Sequence, residues 1–281
     1  MLGIRPMTMH TRSIPSTGEP LAVIGCGTYR GFDVRADRAA YRRLQQVIDG
    51  LFAAGRSVID SSPMYGRAEA VTGDLLAQSN THAKAFVATK VWTRGREAGI
   101  AQMEESFRLL QTDRIDLMQI HNLVDWRTHL PVLRQWKDAG RIRYFGITHY
   151  TASAFADLET VMRAEPLDFV QLNYSAVDRA AERRLLPLAN ERGIAVIVNY
   201  PLASGAAVRG VSKRPLPDWA AEIDCTSWSQ LLLKFVVAHP AITCAIPGTG
   251  NPEHMADNAR AGTGRLPDEA MRARIAAACE A

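Results

Sequence analysis

A chain of 281 residues with 47% hydrophobic and 22% charged residues has the balance of a soluble globular protein and the length to bury a large core without crosslinks. Its 33 basic residues are spread along the sequence and leave a formal net charge of only +4, which excludes a nucleic-acid arm or a polybasic membrane segment. No run approaches the ~18 consecutive apolar residues of a membrane span. The start, "MLGIRPMTMHTRS", lacks an apolar leader core. The four cysteines, Cys26, Cys225, Cys244 and Cys279, form neither a C-x-x-C pair nor a zinc-like spacing. The expectation is a cytoplasmic protein with reduced thiols, no metal, and no nucleic-acid or membrane partner.

The segments "TRSI" and "PLAVIG", joined by a Ser-Thr-Gly-Glu turn, read as a hairpin that leads into a first strand, "LAVIGCGT". "RAAYRRLQQVIDGLFAAG" has apolar residues at helical spacing and stops at Gly55. Strand "SVID" then precedes helix "AEAVTGDLLAQ", strand "AFVATK" precedes helix "IAQMEESFRLLQ", and strand "IDLMQI" precedes helix "HLPVLRQWKDAG", which ends at Gly140. "YFGIT" and "DFVQLN" are strands separated by the helix "SAFADLETVMRA", and "AERRLLPLANERG" reads as one helix before the strand "IAVIVNY". A connection rich in Pro and Gly, residues 201–226, leads to the helix "SWSQLLLKFVVAHP". The strand "ITCAIPG" and the helices "PEHMADNARA" and "DEAMRARIAAAC" complete the chain.

These elements make eight β-then-α steps with strands that are apolar almost throughout, the pattern of strands buried on both faces. The fold they predict is a (β/α)8 TIM barrel, one domain over residues 1–281. A doubly wound sheet is the rival, but "GCGTYRG" has the wrong final spacing for its phosphate loop.

In a barrel the active site gathers at the carboxyl ends of the strands. Asp60 ends the second strand, with Tyr65 in the loop beyond it; Lys90 ends the third and His121 the fourth. Consecutive units therefore bring four chemistry-bearing side chains to one opening. A tyrosine with an ordinary pKa of ~10 is a poor acid at neutral pH. A nearby ammonium lowers that value, so Lys90 is expected to tune Tyr65 and Asp60 to hold Lys90 by an ion pair. His121 is expected to orient a substrate oxygen. Such a set protonates a carbonyl oxygen. The hydride that must accompany the proton can come only from a cofactor.

The stretches "VIDSSPMYG", "ATKVW", "IDLMQIH", "DFVQLNYS" and "IPGTGNPEHMADN" resemble, in the same order, the successive signatures of the aldo-keto reductases. The resemblance implies a barrel capped at its base by the N-terminal hairpin, bound NADPH (NADH possible) and reduction of a small-molecule aldehyde or ketone. It makes Tyr65 the proton donor and Asp60, Lys90 and His121 its catalytic partners. It puts Gly27, Thr28 and Asp60 at the cofactor and Tyr29, Trp92 and Asn122 at the substrate. Gln171 falls at the nicotinamide carboxamide, and Leu202, Ser204 and Gly205 along the pyrophosphate. Gly248, Thr249, His254 and Asn258 fall at the adenosine end, where the start of the next helix is expected to offer N–H groups to phosphate.

The chain also departs from that pattern. Thr148-His149 stands where the family usually has Ser-Asn for the carboxamide. Asn199 stands where it has the aromatic that stacks on the nicotinamide, with Tyr200 one place later. Gly248 and His254 replace two cations that usually meet the 2′-phosphate. These changes keep open a second reading, a nucleotide-binding regulatory or redox-sensing protein with vestigial catalysis. A metal-dependent barrel hydrolase is disfavoured, because "HNLVDWRTH" spaces its histidines eight apart and not as H-x-H.

Overall fold

The structure, a computed structural model, describes residues 8–280; residues 1–7, most of the start read for a leader, lie outside the described residues. Strands β1 (Thr11–Ser13) and β2 (Pro20–Ala22) form the expected antiparallel hairpin. Its turn is closed by the N–H groups of Ile14, donating to Glu19 O, and Gly18, donating to Ile14 O, each at 2.8 Å. Gly18 takes φ 75°, where a side chain would be strained.

Eight parallel strands follow: β3 (Cys26–Gly27), β4 (Ser57–Asp60), β5 (Ala85–Val91), β6 (Ile115–His121), β7 (Ile142–Thr148), β8 (Phe169–Asn173), β9 (Ala195–Asn199) and β10 (Cys244–Ala245). Each pairs with the next in the chain. The last meets the first: Ala245 N–H donates to Val23 O and Gly25 N–H to Ala245 O, both at 2.8 Å, and Gly27 bridges Gly248. The sheet is thus a closed (β/α)8 barrel. Its helices are α1 (Arg38–Phe52), α2 (Ala68–Gln78), α3 (Arg96–Leu110), α4 (Trp126–Asp138), α5 (Phe155–Ala164), α6 (Leu185–Arg192), α7 (Ala206–Val211), α8 (Trp228–Val237), α9 (Pro252–Arg260) and α10 (Glu269–Glu280). None is long and apolar enough to cross a membrane.

Two elements differ from the sequence reading. "AERRLLPLANERG" is a 3-10 turn, Ala180–Arg183, then α6, with Arg184 between them at φ −141° and ψ −47°. Pro187 has no N–H for the Arg183 carbonyl that a continuous helix would present, so the helix restarts with the proline in its first turn. The connection at 201–226 holds α7 and two 3-10 turns, Ala203–Gly205 and Asp218–Ile223, none of which has a long apolar period.

Period-two alternation divides each strand between the barrel interior and the helix layer. Inside lie Val58, Phe86, Leu117, Tyr144, Phe169 and Ile197, packed with Ile14 and Leu21 of the hairpin. The hairpin therefore plugs the amino-terminal end of the barrel. Its turn is clamped from outside as well: Glu19 accepts from Arg56 at 2.7 Å, from Tyr144 Oη at 2.6 Å and from Arg143. Both arginines also reach Asp116, at 3.0 and 2.7 Å. Further along the same strands the inward positions turn polar, and Asp60, Lys90, Gln119, His121, Thr148 and Gln171 are all buried there.

Ile14 is fully buried, so Ile14→Ala leaves a cavity under the barrel floor. The variant is expected to lose about 2–5 kcal/mol in urea unfolding. A loss under about 1 kcal/mol would mean that the hairpin rests on the barrel without plugging it.

Candidate active site

The polar end is built around one buried ion pair. Lys90, fully buried, donates from Nζ to Asp60 Oδ2 and to the Ser61 carbonyl, each at 2.6 Å. The other carboxylate oxygen, Oδ1, accepts from Gln119 Nε2 at 3.1 Å and Gln171 Nε2 at 3.0 Å. Strand register explains the convergence, since Asp60 is paired across to Ala88, Lys90 to Gln119, His121 to Thr148 and Thr148 to Gln171. Burial disfavours the Lys90 charge, but Asp60 and then Tyr65 outweigh it and raise the ammonium pKa.

Tyr65 follows β4 in a tight turn in which its N–H donates to Ser62 O at 2.9 Å. Its ring centroid lies 5.1 Å from Lys90 Nζ, 5.0 Å from the Tyr29 ring and 5.9 Å from the His121 ring, which it meets edge-on. Burial raises the phenol pKa, Lys90 opposes it, and Asp60 and Tyr200 add to it. The net shift is upward, so the expectation that Lys90 tunes the phenol downward holds only for Lys90's own contribution. Burial, reinforced by Lys90 and His149, drives the His121 pKa down to about 3, so the imidazole is neutral at ordinary pH. Ser62 Oγ lies 3.1 Å from His121 Nδ1. A Ser62 hydroxyl that donates there leaves the ring hydrogen on Nε2.

A cleft of about 950 Å³ opens over these groups. Five large apolar side chains among the described residues are exposed, and four of them (Tyr29, Met64, Trp92 and Tyr150) line this cleft. Exposed apolar surface gathered at one opening marks a binding site. Asn122 joins Tyr29 and Trp92 in the wall, and Trp92 is held by its N–H, which donates to Gln102 Oε1 at 2.6 Å.

The same cleft continues past Gly27, Thr148, Gln171, Asn199 and Tyr200 to Leu202, Ser204 and Gly205, and ends at Gly248, Thr249, His254 and Asn258. Gln171 Oε1 accepts from Thr148 Oγ1 at 3.3 Å and from Asn199 Nδ2 at 3.4 Å. The side-chain oxygens of Asn122 and Asn199 are buried without a partner, although both residues line the cleft. Unpaired buried acceptors beside an amide cluster suit a ligand with a primary carboxamide, so the residues present fit a nicotinamide.

Three expected site residues stand behind the cleft wall. Lys90 lies under Asp60. Thr28 is fully buried, its hydroxyl hydrogen-bonded with Ser61 Oγ at 2.9 Å and Asp60 O at 3.1 Å. The His149 ring turns to its own loop, where Nδ1 accepts from Tyr150 N–H at 3.0 Å, while its carbonyl accepts from Asn199 Nδ2 at 3.3 Å. The start of α9 also departs from expectation. Asn251 Oδ1 caps it by accepting from Glu253 N–H at 2.8 Å and His254 N–H at 3.5 Å, and Pro252 has no N–H. The helix thus satisfies its own first turn, and an anion there would depend on side chains.

Gln119 was not anticipated, yet it sits two residues before His121 on the same face of β6, which period two makes legible. Arg30, Met64 and Tyr150 also line the cleft, from loops that carry no periodic signal. His129, the second histidine of "HNLVDWRTH", is buried in α4 with Nε2 bonded to Thr93 O at 2.8 Å, away from His121.

Known proteins agree with this architecture. Residues 23–278 match the Aldo/keto reductase family. The chain is 27% identical over 260 residues to methylglyoxal reductase YeaE of Escherichia coli (strain K12), covering 89% of each protein. It superposes on an aldo-keto reductase from Klebsiella pneumoniae in complex with NADPH at a TM-score of 0.79, with 23% identity over 96% of this chain and 94% of that one. The holo form of an aldo-keto reductase from Bacillus halodurans gives a TM-score of 0.75, with 23% identity over 96% of each chain. A family match spanning almost all of the barrel, on a barrel of the same fold, leads to one assignment: the chain belongs to the aldo/keto reductase family of oxidoreductases.

Proposed function

We propose that this chain reduces a small-molecule aldehyde or ketone to the alcohol with NADPH, and that Tyr65 delivers the proton. The observation that carries the reading is the buried Asp60–Lys90 pair set against Tyr65 and His121 at the floor of an apolar cleft. The methylglyoxal reductase relative supports a small carbonyl compound as the substrate class.

When bound, the nicotinamide supplies the hydride. Tyr65 keeps its proton through the neutral range, because burial raises its pKa. It gives that proton to the carbonyl oxygen, and Lys90 then stabilises the phenolate left behind. Asp60 holds Lys90 in place, and the two glutamine amides keep Asp60 from turning away. Neutral His121 donates from Nε2 to the same carbonyl oxygen and orients it. Gln171, Asn199 and Thr148 hold the carboxamide, Tyr200 forms the wall beside it, and Leu202, Ser204 and Gly205 follow the pyrophosphate. Gly248, Thr249, His254 and Asn258 take the adenosine end. The regulatory reading would leave turnover indifferent to Tyr65, and the substitution below separates the two.

Tyr65→Phe is expected to lower kcat on a panel of small aldehydes by about 10²–10⁴-fold, the usual worth of a general acid, with the NADPH Kd from tryptophan quenching unchanged. Wild-type turnover in this variant would sink the assignment.

The pH dependence follows from the shifts. Reduction by the wild type is expected to stay flat from about pH 5 to 8, since His121 titrates near 3. A limb near ~6.5 would mean that His121 is not held neutral. Alcohol oxidation needs the phenolate and rises with pH. Removing the Lys90 charge raises the phenol pKa further, so in folded Lys90→Met that rise moves to higher pH and reduction slows. An unchanged oxidation profile would uncouple the two residues.

With the start of α9 capped by Asn251, discrimination of the 2′-phosphate rests on the side chains of His254 and Thr249. His254→Ala is expected to weaken NADPH binding by about tenfold and leave NADH binding nearly unchanged. Equal effects on the two nucleotides would remove His254 from the phosphate.

A further inference from the structure

Of the buried acids among the described residues, Asp60, Asp116, Glu159 and Asp168 each pair with a lysine or an arginine, and Glu69 does not. A carboxylate taken out of water without a cation is unfavourable, so its place needs a reason. Glu69 lies in the first turn of α2. Its Oε1 accepts from Thr89 Oγ1 at 2.5 Å. Thr89 precedes Lys90 on β5 and, by the alternation of the strand, faces the helix layer while Lys90 faces the interior. Burial raises the Glu69 pKa. Hydrogen bonds from Thr89 and from Ser106 of α3 oppose it, as does the charge of Lys90, and Glu105 adds to it; the net direction is upward. Glu69 thus stands behind β5, within electrostatic reach of Lys90.

The same acid closely follows Tyr65 in the chain. Tyr65 O accepts from Ala68 N–H at 3.2 Å and Arg67 O from Val71 N–H at 2.9 Å, so the Tyr65 turn runs straight into α2. Arg67, just before the helix, offers no side-chain cap. On the outside the turn is held by Asp33, whose Oδ1 accepts from Arg67 N–H at 3.0 Å in a bond exposed to water. Gly66 there has φ 62° and leaves no room for a Cβ beside Asp33. On the inside the hold is the buried bond from Thr89 to Glu69. One helical turn further on the same face, a Cβ on Gly73 would overlap the Leu109 carbonyl, so α2 packs directly on α3 and closes Glu69 in.

A proton donor is effective only while it is held in one geometry. The Tyr65 ring centroid is 5.1 Å from Lys90 Nζ, and the two residues belong to different elements. The bond from Thr89 to Glu69 joins those elements at the neighbour of one residue and in the helix that follows the other.

We infer that Glu69 is a positioning residue for the proton donor: by fastening the first turn of α2 to Thr89, it fixes the Tyr65 turn against Lys90. The inference rests on the reading of Tyr65 as the acid and deepens it.

The test measures kcat on a small aldehyde, the NADPH Kd and the pH profile of alcohol oxidation in Glu69→Ala, Thr89→Val and Glu69→Gln. The first two each remove one side of the tether, and Thr89→Val keeps the volume of the core should Glu69→Ala fail to fold. Each is expected to lower kcat about tenfold with the NADPH Kd unchanged. As Tyr65 moves away from the Lys90 charge, the oxidation rise moves to higher pH, in the direction expected of Lys90→Met. Glu69→Gln offers Thr89 the same acceptor and is expected to keep most of the wild-type rate and profile. The double variant of Glu69→Ala with Thr89→Val is expected to be no slower than Glu69→Ala, because the two residues share one bond. Wild-type behaviour in both Glu69→Ala and Thr89→Val overturns the inference. So does a lower kcat at an unchanged profile, which marks packing alone. A profile moved to lower pH in both Glu69→Ala and Glu69→Gln also overturns it, since the Glu69 charge then acts on Lys90 and the tether does not. The ultraviolet titration of the Tyr65 phenol, each protein minus its Tyr65→Phe counterpart, reads the same shift without turnover. If the wild type reduces no aldehyde, the reductase reading fails. An upward phenol shift in Glu69→Ala then still supports the tether, and the absence of a shift overturns it.

Discussion

The pair between Lys90 and Asp60 is the constraint that the rest of the molecule is arranged to satisfy. Two opposite charges taken fully out of water cost several kcal/mol each unless geometry and additional hydrogen bonds compensate. Here the compensation is complete on the acid side: one oxygen takes the ammonium and the other takes two amides. Those donors come from β5, β6 and β8, so no part of the sheet smaller than most of a barrel could assemble them. The closed topology is therefore what makes a fully buried lysine ammonium tolerable beside a phenol.

The same strands carry both halves of the design. Their inward positions are apolar near the hairpin and polar near the cleft, so the plug at one end lets the other end hold charges in a dry, rigid surround. A carboxylate network at the floor, where Glu19 and Asp116 share Arg56 and Arg143, fastens the plug without intruding on the interior. Rigidity matters for the chemistry, because a proton donor works only while it is held within reach of the carbonyl oxygen. The pKa shifts fit that picture. Burial keeps Tyr65 protonated and His121 neutral, so each holds a hydrogen that it can donate at ordinary pH.

Much of this was legible in the sequence where a residue's meaning is local. Asp60 and His121 end apolar strands and Lys90 stands one residue before the end of another, and strand ends in this fold point one way. Gln119 was equally readable by alternation from His121, but a glutamine inside an apolar strand is easily passed over as a lone polar residue. What could not be read depends on tertiary balance. The direction of the Tyr65 shift is a contest between Lys90 and burial, and burial has no sequence signature. The break before α6 turned on one proline, whose effect depends on which turn it occupies. The loop after β9, with Tyr200, Ala203 and Ser204 all at positive φ, follows no periodic rule, and its residues were located only by likeness to a family.

The Asn251 cap separates two demands that are often met by one set of atoms. Because Asn251 accepts from the first N–H groups of α9 and Pro252 has none, the helix closes its own first turn without a ligand. The two positions at which the family usually has a cation are not equally free to change. A side chain at Gly248 would bring its Cβ to 3.0 Å from the Gly27 carbonyl, backbone against backbone across the barrel seam. His254, exposed on the helix, meets no such barrier. On the proposed reading of this rim as the phosphate end, a redesign of coenzyme preference begins at 254 and leaves 248 alone, since a cation at 254 adds charge and a cation at 248 crowds the seam that closes the barrel.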